Sequence, residues 1–132
     1  MLDMKDFDSW NINKKKINNL DYSDLYFNER DIFWCHMGIN VGQEQDGKGV
    51  NFLRPVLIFK KFNNKLSWVI PLSNQVRTGS FFFPLLCESN TFRTAILVQL
   101  KVVDTKRLIE KIDSISLLEL SFVKKKITGF IQ

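Results

Sequence analysis

The chain has 132 residues, 45% of them hydrophobic and 25% charged, enough to bury one sizeable core and too few for two. Twelve phenylalanines against three prolines and six glycines exclude a disordered polypeptide, and no apolar run approaches the ~20 residues that span a bilayer. The net charge of +5 suits a polyanionic partner, because lysine and arginine displace the counterions around phosphates, but it suits a merely solvated surface equally well.

The opening "MLDMKDFDSWNINKKK" is too polar and too acidic for a signal peptide, which points to a cytoplasmic protein. Residues 1–28 read as an N-terminal helical extension. Trp10, Ile17 and Leu20 fall at near-helical spacing behind an Asp8 or Ser9 cap, with Lys14, Lys15 and Lys16 on a solvated face. Residues 29–132 read as one further unit, mainly β.

From Asp31 onward, short apolar runs predict strands at 31–38 ("DIFWCHMG"), 55–62 ("PVLIFKKF"), 66–72 ("LSWVIPL"), 79–86 ("GSFFFPLL") and 94–103 ("TAILVQLKVV"). Asn63-Asn64 tolerates the left-handed backbone of a hairpin turn, and Pro84, which lacks a ladder donor, confines its strand to an edge. "VDTKRLIEKI", 103–112, predicts a short helix capped by Asp104 or Thr105. The last helix, within 114–131, sets Ile115, Leu118, Phe122, Val123, Ile127 and Phe130 on one face. Five short strands and a closing helix make a small, partly open barrel with the helix against one side.

Cys35 and Cys87 are too far apart for a close-set ligand pair, and His36 is the only histidine, so no zinc site is expected. Both thiols read as buried, and His36 as a packed strand residue outside any site. Phe81, Phe82 and Phe83 read as filling a core and a dimer seam in preference to a base-stacking platform.

Between the first two strands lies "INVGQEQDGKGVN", a long connection rich in glycine, amides and charge. Its glycines permit tight turns and free amides for an anion, yet it lacks the Lys-Ser/Thr ending of a nucleotide-binding P-loop. Arg54 ends it, immediately before Pro55. "IFW" followed by "GINVGQEQDG", then "RPVLIFKKF", "WVIPLS" and "AILVQLKVVDTKRLIEKI", resembles in order and spacing the MazF/PemK family of type II toxin–antitoxin toxins over residues 31–112.

The resemblance implies an SH3-like barrel of the CcdB/MazF/Kid type that forms a homodimer. It implies a toxin that cuts single-stranded RNA, including mRNA, without metal or cofactor and under restraint by a cognate antitoxin. Cleavage by the ribose 2′-hydroxyl needs a proton removed, a proton supplied and phosphoryl charge stabilised. Arg54 matches the family's "RP" arginine and is the expected charge stabiliser; its alternative is a surface ion pair with Glu44 or Asp46. Ser73 stands at the family's threonine, where its hydroxyl can reach a phosphoryl oxygen or cap the turn that follows.

Glu44, Gln45, Asp46, Gly47 and Lys48 in the loop, Asn74 after the third strand, and Gln99 and Lys101 in the fifth are the expected RNA-binding residues. Relatives like Kid carry a histidine and an aspartate where Gln43 and Val98 stand, so no histidine–aspartate pair is available and the general base is unassigned. Two other readings remain: a non-catalytic relative that binds RNA or antitoxin, and a gyrase-directed poison of the same fold. The ending "KKKITGFIQ" lacks the terminal tryptophan that gyrase poisoning would need.

Overall fold

The computed structural model describes residues 5–132. Its first helix, α1 (Phe7–Asn18), is capped by Asp6, whose carboxylate accepts from the Ser9 amide at 3.0 Å, so the cap precedes the expected Asp8 or Ser9. Trp10 and Ile17 are buried, Leu20 is exposed beyond the helix end, and the lysine triplet faces outward. The helix therefore touches the protein along one narrow stripe.

Seven strands follow: β1 (Asp31–His36), β2 (Leu53–Lys61), β3 (Leu66–Ser73), β4 (Phe82–Leu86), β5 (Phe92–Ile96), β6 (Lys101–Asp104) and β7 (Leu108–Ser114). The chain then ends in α2 (Leu117–Ile131). All pairings are antiparallel, in the order β4-β5-β3-β2-β1-β7, with β6 beside β3; β4 and β7 do not meet, so the barrel stays open. Pro84 lies on the outer strand β4, where its missing donor costs no ladder bond.

The strands carry continuous apolar runs because both faces of the sheet are covered. Ile32, Leu57, Ile70 and Leu72 pack under Leu120 and Val123 of α2, while Phe33, Val56, Ile58 and Val69 pack on the other side with Phe27. Ser116 caps α2 by accepting the Glu119 amide at 3.1 Å. Of the face expected for this helix, Val123 and Ile127 pack inward together with Ile115, but Leu118, Phe122 and Phe130 are exposed. The packing stripe runs instead through Leu120. Phe83 joins the core, whereas Phe81 is exposed and meets Phe130 edge-on at 6.2 Å between ring centres.

Three local expectations are corrected. Residues 103–112 are not helical: Asp104 does cap, accepting the Lys106 amide at 2.9 Å, but it closes only the 3₁₀ turn Thr105–Arg107 before β7 pairs with β1. The free edge of β1 outweighs a weak local helix preference. The run 94–103 is two strands, because Leu72 to Val69 on β3 spans three residues while their partners Ala95 and Lys101 are six apart. The surplus is taken up by the 3₁₀ turn Leu97–Gln99. At the β2–β3 hairpin the turn is built by the Asn63 side chain, which accepts the Lys65 and Leu66 amides at 2.7 and 3.0 Å, and neither asparagine is left-handed.

Cys35 and Cys87 are buried and free. Burial pushes the Cys35 thiol from 9.0 to about 12, with the charges of Arg107 and Lys101 opposing. Native protein at about pH 8 is therefore expected to resist iodoacetamide at Cys35 until denaturant is added, as mass spectrometry would show. Because the folded thiol keeps its proton where the unfolded one loses it, the stability it contributes is complete below pH 9.0 and is lost as pH rises towards 12.

Candidate nucleic-acid interface and active site

The connection between β1 and β2 is tightly built. The Met37 and Gly38 amides donate to the Phe52 carbonyl at 2.9 and 3.2 Å, the Gly47 amide donates to the Gly38 carbonyl at 2.7 Å, and Lys48 and Leu53 exchange bonds of 2.8 and 2.9 Å. The Asn40 backbone amide donates to the Asp46 carboxylate at 2.6 Å, and its side chain donates to the Met37 and Gln45 carbonyls. Glu44 accepts the Val41 amide at 2.9 Å. Gly47 has no room for a side chain, since a Cβ there would lie 1.7 Å from the Phe52 carbonyl oxygen. This scaffold delivers the chain to the start of β2.

Arg54, the second residue of β2, is half-buried. Its Nε donates to the Asp46 carbonyl at 2.7 Å and its Nη1 to the Leu72 carbonyl of β3 at 3.1 Å, so the guanidinium is braced between loop and sheet. Among the described residues no carboxylate pairs with it: Asp46 spends its own on Lys5 at 3.2 Å, and Glu44 spends its on Val41. Burial lowers the Arg54 pKa and the charge of Arg77 lowers it further, against the pull of Asp46, yet an arginine remains charged at neutral pH. A braced cation with unused N–H groups is suited to an incoming anion.

Arg54 lines a cavity of about 420 Å³ together with Lys48, Ser73, Asn74, Gln75 and Trp34. Ser73 closes β3 nearly buried, and its Oγ accepts the Gln75 amide at 3.1 Å. It caps the turn, as the plainer sequence reading held, and its proton is undonated among the described residues. Asn74 accepts from Arg93 at 3.4 Å, and Thr94 of β5 ties the same turn by donating to the Gln75 carbonyl at 2.7 Å.

The remaining expected RNA-binding residues divide. Glu44, Gln45, Gln99 and Lys101 line a second cavity of about 260 Å³ beside Asn40 and Pro71. Gln99 sits on the 3₁₀ turn and grips the loop, accepting the Gln45 amide at 3.4 Å and donating to the Gln43 carbonyl at 3.1 Å. Burial, then the charge of Arg107, lowers the Lys101 pKa. Asp46 and Gly47 line neither cavity and hold the loop instead.

His36 also lies outside both cavities, its Nδ1 donating to the Asn51 carbonyl at 2.8 Å. Among the described residues there is no group of three or more His, Cys, Asp or Glu able to hold a metal, and no helix is long and apolar enough to cross a membrane. Sequence reasoning missed Trp34, which lies inside an apolar run that looks wholly interior, and Gln75, which sits in the turn just after Ser73.

No curated protein matches this sequence significantly. Among solved structures, MazF from Deinococcus radiodurans is 16% identical with a TM-score of 0.66, over 82% of this chain and 98% of that one. The MazE-MazF structure from the same organism gives 16%, 0.61, 82% and 97%. An endoribonuclease in complex with its cognate antitoxin from a mycobacterial species gives 8%, 0.59, 80% and 95%. At these identities the likeness establishes the fold. The model of the PemK-like, MazF-like toxin of type II toxin–antitoxin systems matches residues 28–131, most of the sequence, and the chain belongs to that family.

Proposed function

We propose that this protein cleaves single-stranded RNA at the Arg54–Ser73 cavity, as the toxin of a pair whose antitoxin restrains it. The observation that carries the reading is the braced, carboxylate-free guanidinium of Arg54 opening onto a cavity that also holds a cationic, a hydroxyl and an amide side chain.

In the reaction, the ribose 2′-oxygen bonds to the adjacent phosphorus as the bond to the 5′-oxygen breaks, leaving a 2′,3′-cyclic phosphate and a 5′-hydroxyl. The 2′-proton leaves to water and the 5′-oxygen takes a proton from solvent. The free N–H groups of Arg54 meet the charge that builds on the non-bridging oxygens, and Ser73 donates its hydroxyl proton to one of them. Lys48 and Asn74 hold the flanking phosphate and sugar, and Trp34 offers a ring for base stacking. Gln45, Glu44, Gln99 and Lys101 in the second cavity contact a neighbouring nucleotide, their amide and carboxylate groups separating donors from acceptors on base edges. The antitoxin blocks the same groove with an extended acidic segment, and the working form is a homodimer in the cytoplasm.

The test is incubation of the purified protein with mixed-sequence RNA in excess chelator, with end-group analysis of the fragments. Cyclic phosphate and 5′-hydroxyl ends are expected. Fragments with 5′-phosphate ends would mean a different chemistry, and RNA binding without cleavage would make this a non-catalytic member of the family.

A further inference from the structure

The helix α1 lies outside the segment that the family model matches, yet its contacts converge on the loop that braces Arg54. Lys5, just before the helix, is part-buried. Its ammonium donates to the Asn40 and Gly42 carbonyls at 2.6 and 3.1 Å and pairs with the Asp46 carboxylate at 3.2 Å, three acceptors for three protons. Asp46 is thereby pinned by Lys5 and by the Asn40 amide, and its carbonyl is the oxygen that receives Arg54 Nε at 2.7 Å.

A second line of contact runs through Trp10. Its ring covers Gly38 so closely that a Cβ there would fall 2.1 Å from a ring atom, and it meets Phe52 edge-on at 5.5 Å between centres. Ile17 completes this small apolar cluster, and the Arg107 guanidinium lies 5.6 Å from the centre of the Trp10 ring. Phe52 is the residue that the cluster has most need to hold. It is buried with a left-handed φ of 55°, its carbonyl ties Met37 and Gly38 together, and Arg54 follows two positions later. A bulky residue in that conformation persists only where its surroundings enforce it.

We infer that α1 is a clasp: Lys5 and Trp10 are positioning residues that hold the loop, and through Asp46 and Phe52 keep the Arg54 guanidinium aimed into its cavity. The inference rests on the nuclease reading for its kinetic consequence but not for its structural one. Displacement of a catalytic group by about 1 Å costs on the order of 10²-fold in rate. Loss of the clasp lowers kcat through Arg54 and weakens RNA binding as well, because the loop it holds also carries Lys48, Glu44 and Gln45, although neither Lys5 nor Trp10 itself lines the two cavities.

The experiment uses full-length Lys5→Ala and Trp10→Ala beside Lys5→Arg and Trp10→Phe. Two readouts are taken: single-turnover cleavage over a range of RNA concentrations, and the NMR signal of the Arg54 Nε–H, assigned by its disappearance in Arg54→Lys. In the native protein that proton is expected to exchange slowly, since it is bonded to the Asp46 carbonyl. The alanine variants are expected to lose its protection and about 10- to 100-fold in kcat, with a smaller rise in KM, and the conservative variants to recover part of both. Should Trp10→Ala fail to fold, Lys5→Ala decides alone. Retained Nε–H protection with unchanged kcat would overturn the clasp, and faster cleavage would make α1 a brake and overturn it too. If the native protein cuts no RNA, the NMR readout still decides the clasp while the nuclease reading fails by itself.

Discussion

Arg54→Ala is expected to lower single-turnover RNA cleavage by about 10²–10³-fold while the protein stays folded, the range that follows loss of one well-placed donor to a developing oxyanion. Two features make this residue more than one cation among several. Its Nε and Nη1 are spent on the Asp46 and Leu72 carbonyls, which fixes the plane of the guanidinium, and among the described residues no carboxylate forms an ion pair with it. Truncation strands those two carbonyls at about 1–3 kcal/mol apiece if water cannot reach them, and less at this half-buried position. Folding should survive, which a thermal melt checks. Arg54→Lys tests the geometry: an ammonium keeps the charge but cannot bridge both carbonyls and still present a planar pair of donors, so most of the loss should persist.

Gly47→Ala is the second large effect, and it acts on stability before it acts on chemistry. The added methyl would stand 1.7 Å from the Phe52 carbonyl oxygen, 2.0 Å from its carbon and 2.7 Å from the Leu53 nitrogen, all backbone atoms with no rotamer to give way. Relief requires breaking the paired Lys48–Leu53 bonds or pushing Phe52 out of its pocket. A cost at or above the top of the usual ~1–3 kcal/mol for overpacking is expected, enough to lower Tm by roughly 10 °C. Gly49→Ala is the control. Nothing lies within 4 Å of its added Cβ, so only the φ of +75° is strained, and a loss of about 1 kcal/mol should follow.

The strands β1 to β3 were legible in the sequence because each is an unbroken apolar run bounded by turn residues, and α2 because its apolar period of three to four is local. The run 103–112 misled because its capping aspartate is real and its strand partner, β1, lies some seventy residues away. No local pattern carries that pairing. The apolar face of α2 was read off-centre: Leu118, Phe122 and Phe130 fit the helical period as well as the omitted Leu120 does, and only the tertiary packing chooses between them. At the candidate site, Arg54 and Ser73 were singled out by motif and do line one cavity, with Lys48 and Asn74. Asp46 and Gly47 were singled out by the same motif but line neither cavity, and Asp46 supports Arg54 through its carbonyl. Lys5 and Trp10 were invisible as contributors, because nothing in a helix stripe reveals which loop it will clamp.

The proposed cleavage depends on the charge of one side chain at one place, and chemical rescue tests that dependence most directly. Arg54→Ala, which opens a guanidinium-sized space between the Asp46 and Leu72 carbonyls, is assayed in single turnover with added guanidinium ion at non-denaturing concentrations and with tetramethylammonium as the ionic control. The account predicts a saturable recovery with guanidinium alone, yielding the same cyclic-phosphate ends as the native protein. Cleavage by Arg54→Ala at the native rate without any added ion would contradict it.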